Sequence, residues 1–212
     1  MAMAGVFRMD LEEYRIVFVV VAFVVALLVA SPALQRLLVY PRTEFFTELW
    51  LLGPNHKAED YPFNITRDQN YTVFLGIGNH LGYCGYYYVE VKLRNESQQA
   101  PTSFGSIENR TPSDLPSLFN ISVFAADEQT WESPLTFSFG YGFGSNMSEV
   151  EFGNVTLNDN VLSLEGYGAA WNSTRNVFFG NLFFELWIYN STINQFSYHG
   201  RFVDLKLNMT ST

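Results

Sequence analysis

Cysteine is almost absent from this sequence, since Cys84 is the only one among 212 residues. A single cysteine cannot form an internal disulfide, so packing alone must hold the chain together, unlike many secreted domains. No histidine or acidic residue lies beside Cys84 in the sequence. We therefore expect a buried, inert thiol rather than a reactive or intermolecular one.

Charged residues are also scarce, at 16% of the chain, against about 25% in an average soluble domain. Aromatic residues reach 17%, which excludes a disordered composition. The net charge of −9 arises after Tyr40, because the residues up to Tyr40 carry three acids and three bases. An acidic domain disfavours nucleic acid and anionic lipid as partners, although the acids also simply keep a domain soluble.

Recognisable motifs for catalysis or metal binding are missing. The three histidines show no metal-ligand spacing, and we expect structural roles for His56, His80 and His199. The glycines at 76–78 and 140–144 lie in strand patterns that do not lead into helices, so neither predicts a phosphate-binding loop. Paired carboxylates are expected to be solvated. The sequence predicts neither a catalytic residue nor a metal or cofactor site, and we expect that the protein is not an enzyme.

One long hydrophobic run stands near the N-terminus. Ile16–Leu34 spans 19 residues with only Ser31 and Pro32 as mild interruptions, and a helix of that length covers about 28 Å, close to a bilayer core. Tyr14 and Tyr40 bracket the run, as interfacial aromatics do. We predict a cytoplasmic tail over residues 1–15 and a transmembrane helix over residues 16–40.

A cleaved signal peptide is the alternative interpretation of this run, because Ser31-Pro32-Ala33 resembles a small-residue cleavage site. The run is longer than the usual apolar core of a signal peptide, and three acids precede it, so we favour an uncleaved anchor. Basic residues flank both ends of the run and do not settle its orientation.

Ten Asn-x-Ser/Thr sequons for N-glycosylation follow the run. Among the 17 asparagines after Tyr40, chance would give about 3 sequons. Ten sequons on one side of the anchor predict an extracytoplasmic, N-glycosylated domain with the N-terminus inside the cell. They also predict that these asparagines lie at the surface. The sequons begin at Asn64, Asn70, Asn95, Asn109, Asn120, Asn146, Asn154, Asn172, Asn190 and Asn208.

After the anchor, short aromatic and β-branched runs are separated by Gly, Pro, Asn and Asp, which is typical of strands. Two of them alternate with period two, and Asn158–Asn160 between two runs predicts a hairpin turn. The segment Gln98–Pro116, which we call the excursion, carries three prolines and predicts an exposed connection. The predicted strands are Phe45–Leu52, Asn70–Gly78, Tyr86–Arg94, Ser117–Ala126, Leu135–Gly142, Val150–Leu157, Val161–Tyr167 with Ala170, Val177–Tyr189 and Tyr198–Leu207.

This pattern predicts a mainly β fold: a single N-terminal transmembrane helix followed, over residues 41–212, by an antiparallel immunoglobulin-like β-sandwich. We expect Greek-key connections and see neither an internal repeat nor a second domain boundary.

Residues 41–95 and 117–139 contain a series of short motifs: Thr47–Asn55, Ala58–Pro62, Gly76–His80 and Thr130–Phe137. In order and spacing they resemble a family of archaeal membrane proteins catalogued as a domain of unknown function, in which membrane helices precede an extracytoplasmic domain. The chain departs from that pattern in having one membrane helix, and in Leu81 where an acid is expected. The resemblance implies an archaeal source and a sandwich-like outer domain, and it implies no activity.

These observations favour a non-enzymatic envelope protein, held outside the cytoplasmic membrane by one helix and carrying N-glycans. Its partners would be the membrane and other envelope or membrane proteins, not nucleic acid. The alternative is an accessory subunit of a larger membrane complex, such as an oxidase or a glycosyl-transfer machine. A pilus-type subunit and a glycan-acting enzyme are weaker alternatives. The sequon-poor strands, Tyr71–Arg94 and Trp131–Tyr141, are where we expect a partner to bind.

Overall fold

A computed structural model describes residues 14–37, 44–102 and 104–211. The chain divides after Glu44 into two units, of which the first holds one helix and the second holds the strands. The helix, α1, spans Arg15–Leu37. Its residues from 16 to 29 are exposed, and all of them are Val, Ile, Leu, Phe or Ala.

Within the described residues, no helix combines the length and the apolarity needed to cross a membrane. The transmembrane helix expected over residues 16–40 is therefore unsupported here and stays a prediction, and its last three residues lie outside the described part of the chain.

The second unit is built from strands, which confirms the mainly β prediction. Each predicted run contains at least one strand, and the run Val161–Tyr167 with Ala170 becomes two short strands. The strands are β1 Phe46–Leu52, β2 Asn64–Ile65, β3 Tyr71–His80, β4 Gly85–Arg94, β5 Phe119–Ala125, β6 Thr130–Phe143, β7 Glu149–Leu157, β8 Asn160–Ser163, β9 Gly168–Asn172, β10 Val177–Asn190 and β11 Gln195–Met209.

The strands form two sheets that share one linking strand. One sheet has the order β1-β3-β6-β7, with β8 on β7, and the other has the order β5-β4-β10-β11-β2. Strand β9 pairs with both β7 and β10 and so joins them. Every pair is antiparallel except the two-residue pair of β2 with β11, which confirms the antiparallel prediction.

The immunoglobulin-like strand order fits only one of the two sheets. The order β5-β4-β10-β11 corresponds to C′-C-F-G of a variable-type domain. The other sheet has the order β1-β3-β6-β7, and it would correspond to A-B-E-D only if β6 and β7 changed places. The short connection between β5 and β6 explains the exchange: Gln129 O accepts a bond from Asn79 N, and Glu128 N donates to Asn79 O. These bonds start β6 beside the end of β3.

Alternation along the strands places the core. Val89, Val91 and Leu93 of β4 and the inward residues of β3, β6 and β7 are buried in one cluster. The hairpin predicted at Asn158–Asn160 joins β7 to β8, with Asn158 and Asp159 at φ of 44° and 67°. Asparagine and aspartate tolerate this left-handed conformation better than most residues.

One expectation about exposure is wrong, and another holds for only part of its segment. Cys84 is exposed rather than buried, because it lies in the link that carries the chain from β3 in one sheet to β4 in the other. The excursion is exposed over most of its described residues, as expected, but not throughout. Its Ser113 is buried, and Lys92 on the outer side of β4 is buried with it.

Candidate functional site

The outer side of the first sheet carries a set of interacting ionisable and aromatic residues. These side chains alternate with the core residues of the same strands and therefore point away from the core. We call this surface the β1–β3–β6 face, and it consists of Phe46, Glu48, Trp50, Phe74, Gly76, Gly78, His80, Thr130, Glu132 and Pro134.

The side chains of Trp50 and Glu132 contact each other above Gly76, at the middle of this face. Gly76 is the partner of both residues in the strand register, Trp50 on β1 and Glu132 on β6. A β-carbon on Gly76 would lie 2.1 Å from Cε2 of Trp50, so only glycine leaves room for the indole. Trp50 Nε1 donates a hydrogen bond of 3.2 Å to Glu132 Oε2.

His56 completes one end of the cluster from the turn that follows β1. Gly53 N donates to Lys57 O, and His56 adopts a φ of 56° within that turn. The imidazole stacks on Phe74 with ring centroids 3.7 Å apart, and its Nδ1 lies 2.7 Å from Glu132 Oε1. Glu132 thus accepts from an indole with one oxygen and faces an imidazole with the other.

His80 lies at the other end of the face between two carboxylates. Its Nε2 is 3.6 Å from Glu48 Oε2, and its Nδ1 is 3.1 Å from Glu128 Oε2. The ring stacks on Phe46 at 4.6 Å. Within the described residues no three histidine, cysteine or acidic side chains come close enough to hold a metal ion. The face therefore offers carboxylate acceptors flanked by aromatic rings.

A buried chain of hydrogen bonds lies beneath the same strands. His199 Nε2 is 2.8 Å from Thr47 Oγ1, which is 3.2 Å from the Tyr87 hydroxyl. That hydroxyl donates to Asn79 Oδ1 at 2.9 Å. Asn79 Nδ2 in turn donates to the carbonyls of Ala125 and Tyr83.

This chain allows only one proton order. Tyr87 gives its single proton to Asn79, so Thr47 must donate to Tyr87 and His199 must donate from Nε2 to Thr47. Burial and the charge of Arg201 lower the pKa of His199 to about 4, which keeps the ring neutral at pH 7. The network ties β1, β3, β4 and β11 together, and its members Thr47, Asn79 and Tyr87 are buried.

Another buried polar group lies under the excursion. Lys92 Nζ is 2.8 Å from Glu185 Oε2 and 3.0 Å from Glu90 Oε2, and Ser113 N donates to Glu185 Oε1 at 2.7 Å. Burial lowers the pKa of Lys92, but the hydrogen bonds to Glu185 and Glu90 more than offset it and leave the pKa raised. The excursion thus covers an ion pair on the outer side of β4 and β10.

The ten sequon asparagines are dispersed over both sheets and their connections. Six are exposed, four are half-buried and none is buried. Among the described residues, the β1–β3–β6 face contains no sequon. The exposed ones are Asn64, Asn70, Asn109, Asn120, Asn146 and Asn190, and the half-buried ones are Asn95, Asn154, Asn172 and Asn208.

Sequence reasoning located this face only in part. The sequon-poor strands predicted as the partner site include β3 and most of β6, which both contribute to it. The pairing of His56 with Glu132 was missed, because 76 residues separate them and spacing along the chain gives no sign of a contact. The usable signal was the set of short motifs, since Trp50, Gly76, His80 and Glu132 all belong to them.

The model of a protein family described as "Domain of unknown function (DUF1616)" matches residues 41–147, about half of the chain. The chain belongs to the DUF1616 family. The match includes β1 to β6 and therefore the whole β1–β3–β6 face. It gives neither a source organism nor a membrane arrangement, so an archaeal source and the arrangement of the helix stay predictions. No curated protein matches this member of DUF1616.

Two crystal structures of a β-glucosidase from Listeria innocua, one with glucose and one with gluconolactone, are similar to this chain at 9% identity. The TM-scores are 0.32 and 0.31, and each match covers 80% of this chain but only 17% of the β-glucosidase. A likeness this weak carries no argument about activity.

Proposed function

We propose that this DUF1616 protein is a single-pass, membrane-anchored and N-glycosylated envelope protein, with a non-catalytic binding or assembly role outside the cell. The observation that carries the proposal is the distribution of sequons. They lie on both sheets and their connections, whereas the β1–β3–β6 face has none among its residues. Because an attached glycan obstructs protein contact, a face without sequons is the place for a partner to dock.

The chemistry of the face supports a protein partner. Glu48 and Glu132 supply carboxylates beside exposed or half-buried rings of Phe46, Phe74 and Trp50. Aromatic rings rimmed by charge are typical of interface cores, and a partner with lysine or arginine beside apolar side chains complements them. The accessory-subunit alternative gains from the same observation, since a free-standing coat protein needs no face clear of glycans.

The anchor is proposed from the apolar run in the sequence and from the exposed apolar side chains of α1, although no helix among the described residues has the length and apolarity of a membrane span. Ile16–Leu34 is an apolar run, and α1 extends for 23 residues with exposed apolar side chains over much of its length. Such a surface is expected to be covered by lipid or by a partner. If the anchor spans the membrane, the protein stays in the membrane fraction after alkaline carbonate extraction and is released only by detergent. Release by carbonate alone would contradict the anchor.

A glycan placed on the β1–β3–β6 face tests the binding role. Pro134→Asn creates a sequon with Leu135 and Thr136 on the exposed outer side of β6. The control is Val161→Asn, which creates a sequon with Leu162 and Ser163 on β8, where Val161 is 70% exposed. Glycopeptide mass spectrometry establishes that both new sites are modified.

The readout is the set of chains that co-purify with the protein after mild detergent extraction. We expect Pro134→Asn to lose a partner that Val161→Asn and the native protein both retain. If the glycosylated Pro134→Asn protein still co-purifies with every chain, the β1–β3–β6 face is not the binding surface. If nothing co-purifies with the native protein, the accessory-subunit alternative loses its main support.

A further inference from the structure

Two arginines share a small cavity at the side of the domain where β1 runs beside β11. The cavity has a volume of about 130 Å³ and is lined by Leu49, Arg110, Gly200, Arg201 and Phe202. The Nε–H groups of Arg110 and Arg201 are both buried and find no hydrogen-bond acceptor among the described residues. A buried donor without an acceptor costs about 1–3 kcal/mol, and more when it is charged.

The fold holds both arginines in place. The β10–β11 ladder shifts register between Leu186 and Trp187, leaving a bulge at His199 and Gly200 just before Arg201. Gly200 has a φ of 67°, and a β-carbon there would lie 2.6 Å from Cγ2 of Ile107, so the excursion packs directly onto this glycine. Arg110 Nη1 donates to Gly200 O at 3.0 Å, which fixes the guanidinium at the cavity.

The charges of the two arginines are only weakly compensated by neighbouring residues. Burial and the nearby charge of Arg110 lower the pKa of Arg201, while Glu48 opposes them more weakly. No carboxylate lies within 4.0 Å of either guanidinium among the residues the structure describes, whereas Lys92 has two such partners. The two like charges therefore have no carboxylate partner within 4.0 Å among the described residues, although the chain has a net charge of −9.

We propose that the cavity lined by Arg110 and Arg201 binds a small anion, which accepts a hydrogen bond from the Nε–H of each arginine. The ligand is an inorganic anion such as sulfate or chloride, or a carboxylate, because these share the negative charge and the acceptor atoms required. A volume of about 130 Å³ equals that of about four waters. That is room for a compact anion.

Anion titrations of the full chain in detergent test the site. Thermal unfolding is followed at constant ionic strength while sulfate, chloride or acetate replaces 2-(N-morpholino)ethanesulfonate. We expect at least one of the three to raise Tm in a saturable way, as linkage to a native-state ligand requires. A response to sulfate or chloride alone identifies an inorganic anion, and a response to acetate identifies a carboxylate site.

The variants are Arg110→Gln and Arg201→Gln, with Arg175→Gln as the control because Arg175 is exposed and pairs with Glu96. Removing one of two like charges should leave the domain folded. We expect either site variant to lower the affinity for the anion by about tenfold or more. The control should give the same titration curve as the native protein. Absence of a saturable response, or an unchanged response in Arg201→Gln, would overturn the proposal.

Crystals of the native protein grown in bromide give a test that needs no variant. We expect an anomalous peak within hydrogen-bonding distance of the Nε atoms of Arg110 and Arg201. Water alone in the cavity would contradict anion binding.

Discussion

The indole of Trp50 covers the bare backbone of Gly76, its partner across the β1–β3 ladder. A glycine in the middle of a strand has no side chain to pack, and an aromatic ring from the neighbouring strand compensates for that loss. Because Trp50 also donates to Glu132, the position of Gly76 determines where the carboxylate of the β1–β3–β6 face is held. The two residues therefore act as one unit.

Gly76→Ala should destabilise the domain by about 1–3 kcal/mol, because the added methyl group would force the Trp50 ring out of place. Gly142→Ala is the matched control, since a β-carbon there meets no atom within 4 Å. Equilibrium unfolding in denaturant measures both free energies. Equal effects of the two substitutions would show that the contact with Trp50 does not constrain residue 76.

The fold was largely predictable from period-two alternation, whereas the site was not. Strands such as β4 reveal one buried face through Tyr87, Val89 and Val91, and the turn at Asn158 and Asp159 reveals a hairpin. The contacts of the site cross strands that are distant in sequence, so no local pattern encodes them.

Two other outcomes also depended on tertiary context. Alternation along β4 places Lys92 on the side away from the core, but the excursion buries that side. Its carboxylate partner Glu185 lies 93 residues further along the chain, beyond the reach of any local pattern. The exposure of Cys84 depends on which link crosses between the sheets, which composition does not reveal.

His199 should make the stability of the domain depend on pH. The folded pKa is about 4 against an ordinary value of 6.5, so between these values the unfolded chain binds more protons than the folded one. Stability is fully present above pH 6.5 and falls as the pH decreases toward 4, by an amount on the order of 3 kcal/mol. Denaturant unfolding between pH 7.5 and pH 5 measures the first part of this loss.

His199→Gln isolates that effect, because glutamine keeps an N–H donor for Thr47 and does not titrate. We expect this variant to lose less stability on acidification than the native protein. His56→Gln serves as the control, since His56 is largely exposed and should leave the pH dependence in place. An unchanged pH dependence in His199→Gln would assign the loss to other groups.

Removing one partner of the buried ion pair should cost more than removing both. Lys92→Met leaves the Glu185 carboxylate buried with Ser113 N as a donor but no cation beside it, and such losses cost about 3–5 kcal/mol. The double substitution Lys92→Met with Glu185→Met should be less destabilising than Lys92→Met alone. Denaturant unfolding gives the free energies, and a single variant within 1 kcal/mol of the native protein would refute the buried pair.

Glycan occupancy should differ between sequons in turns and sequons in strands. Asn146 lies in the turn between β6 and β7, and Asn190 ends β10 where the turn to β11 begins. Both are exposed, and the Oδ1 of each accepts the backbone N–H two residues ahead. The half-buried Asn208 of β11 instead donates from Nδ2, the atom that would carry the sugar, to Asn64 Oδ1 at 2.9 Å. If glycans are added to the folded domain, occupancy at Asn146 and Asn190 should exceed that at Asn208. Glycopeptide mass spectrometry of the native protein measures each site, and high occupancy at Asn208 would mean that modification precedes the pairing of β11 with β2.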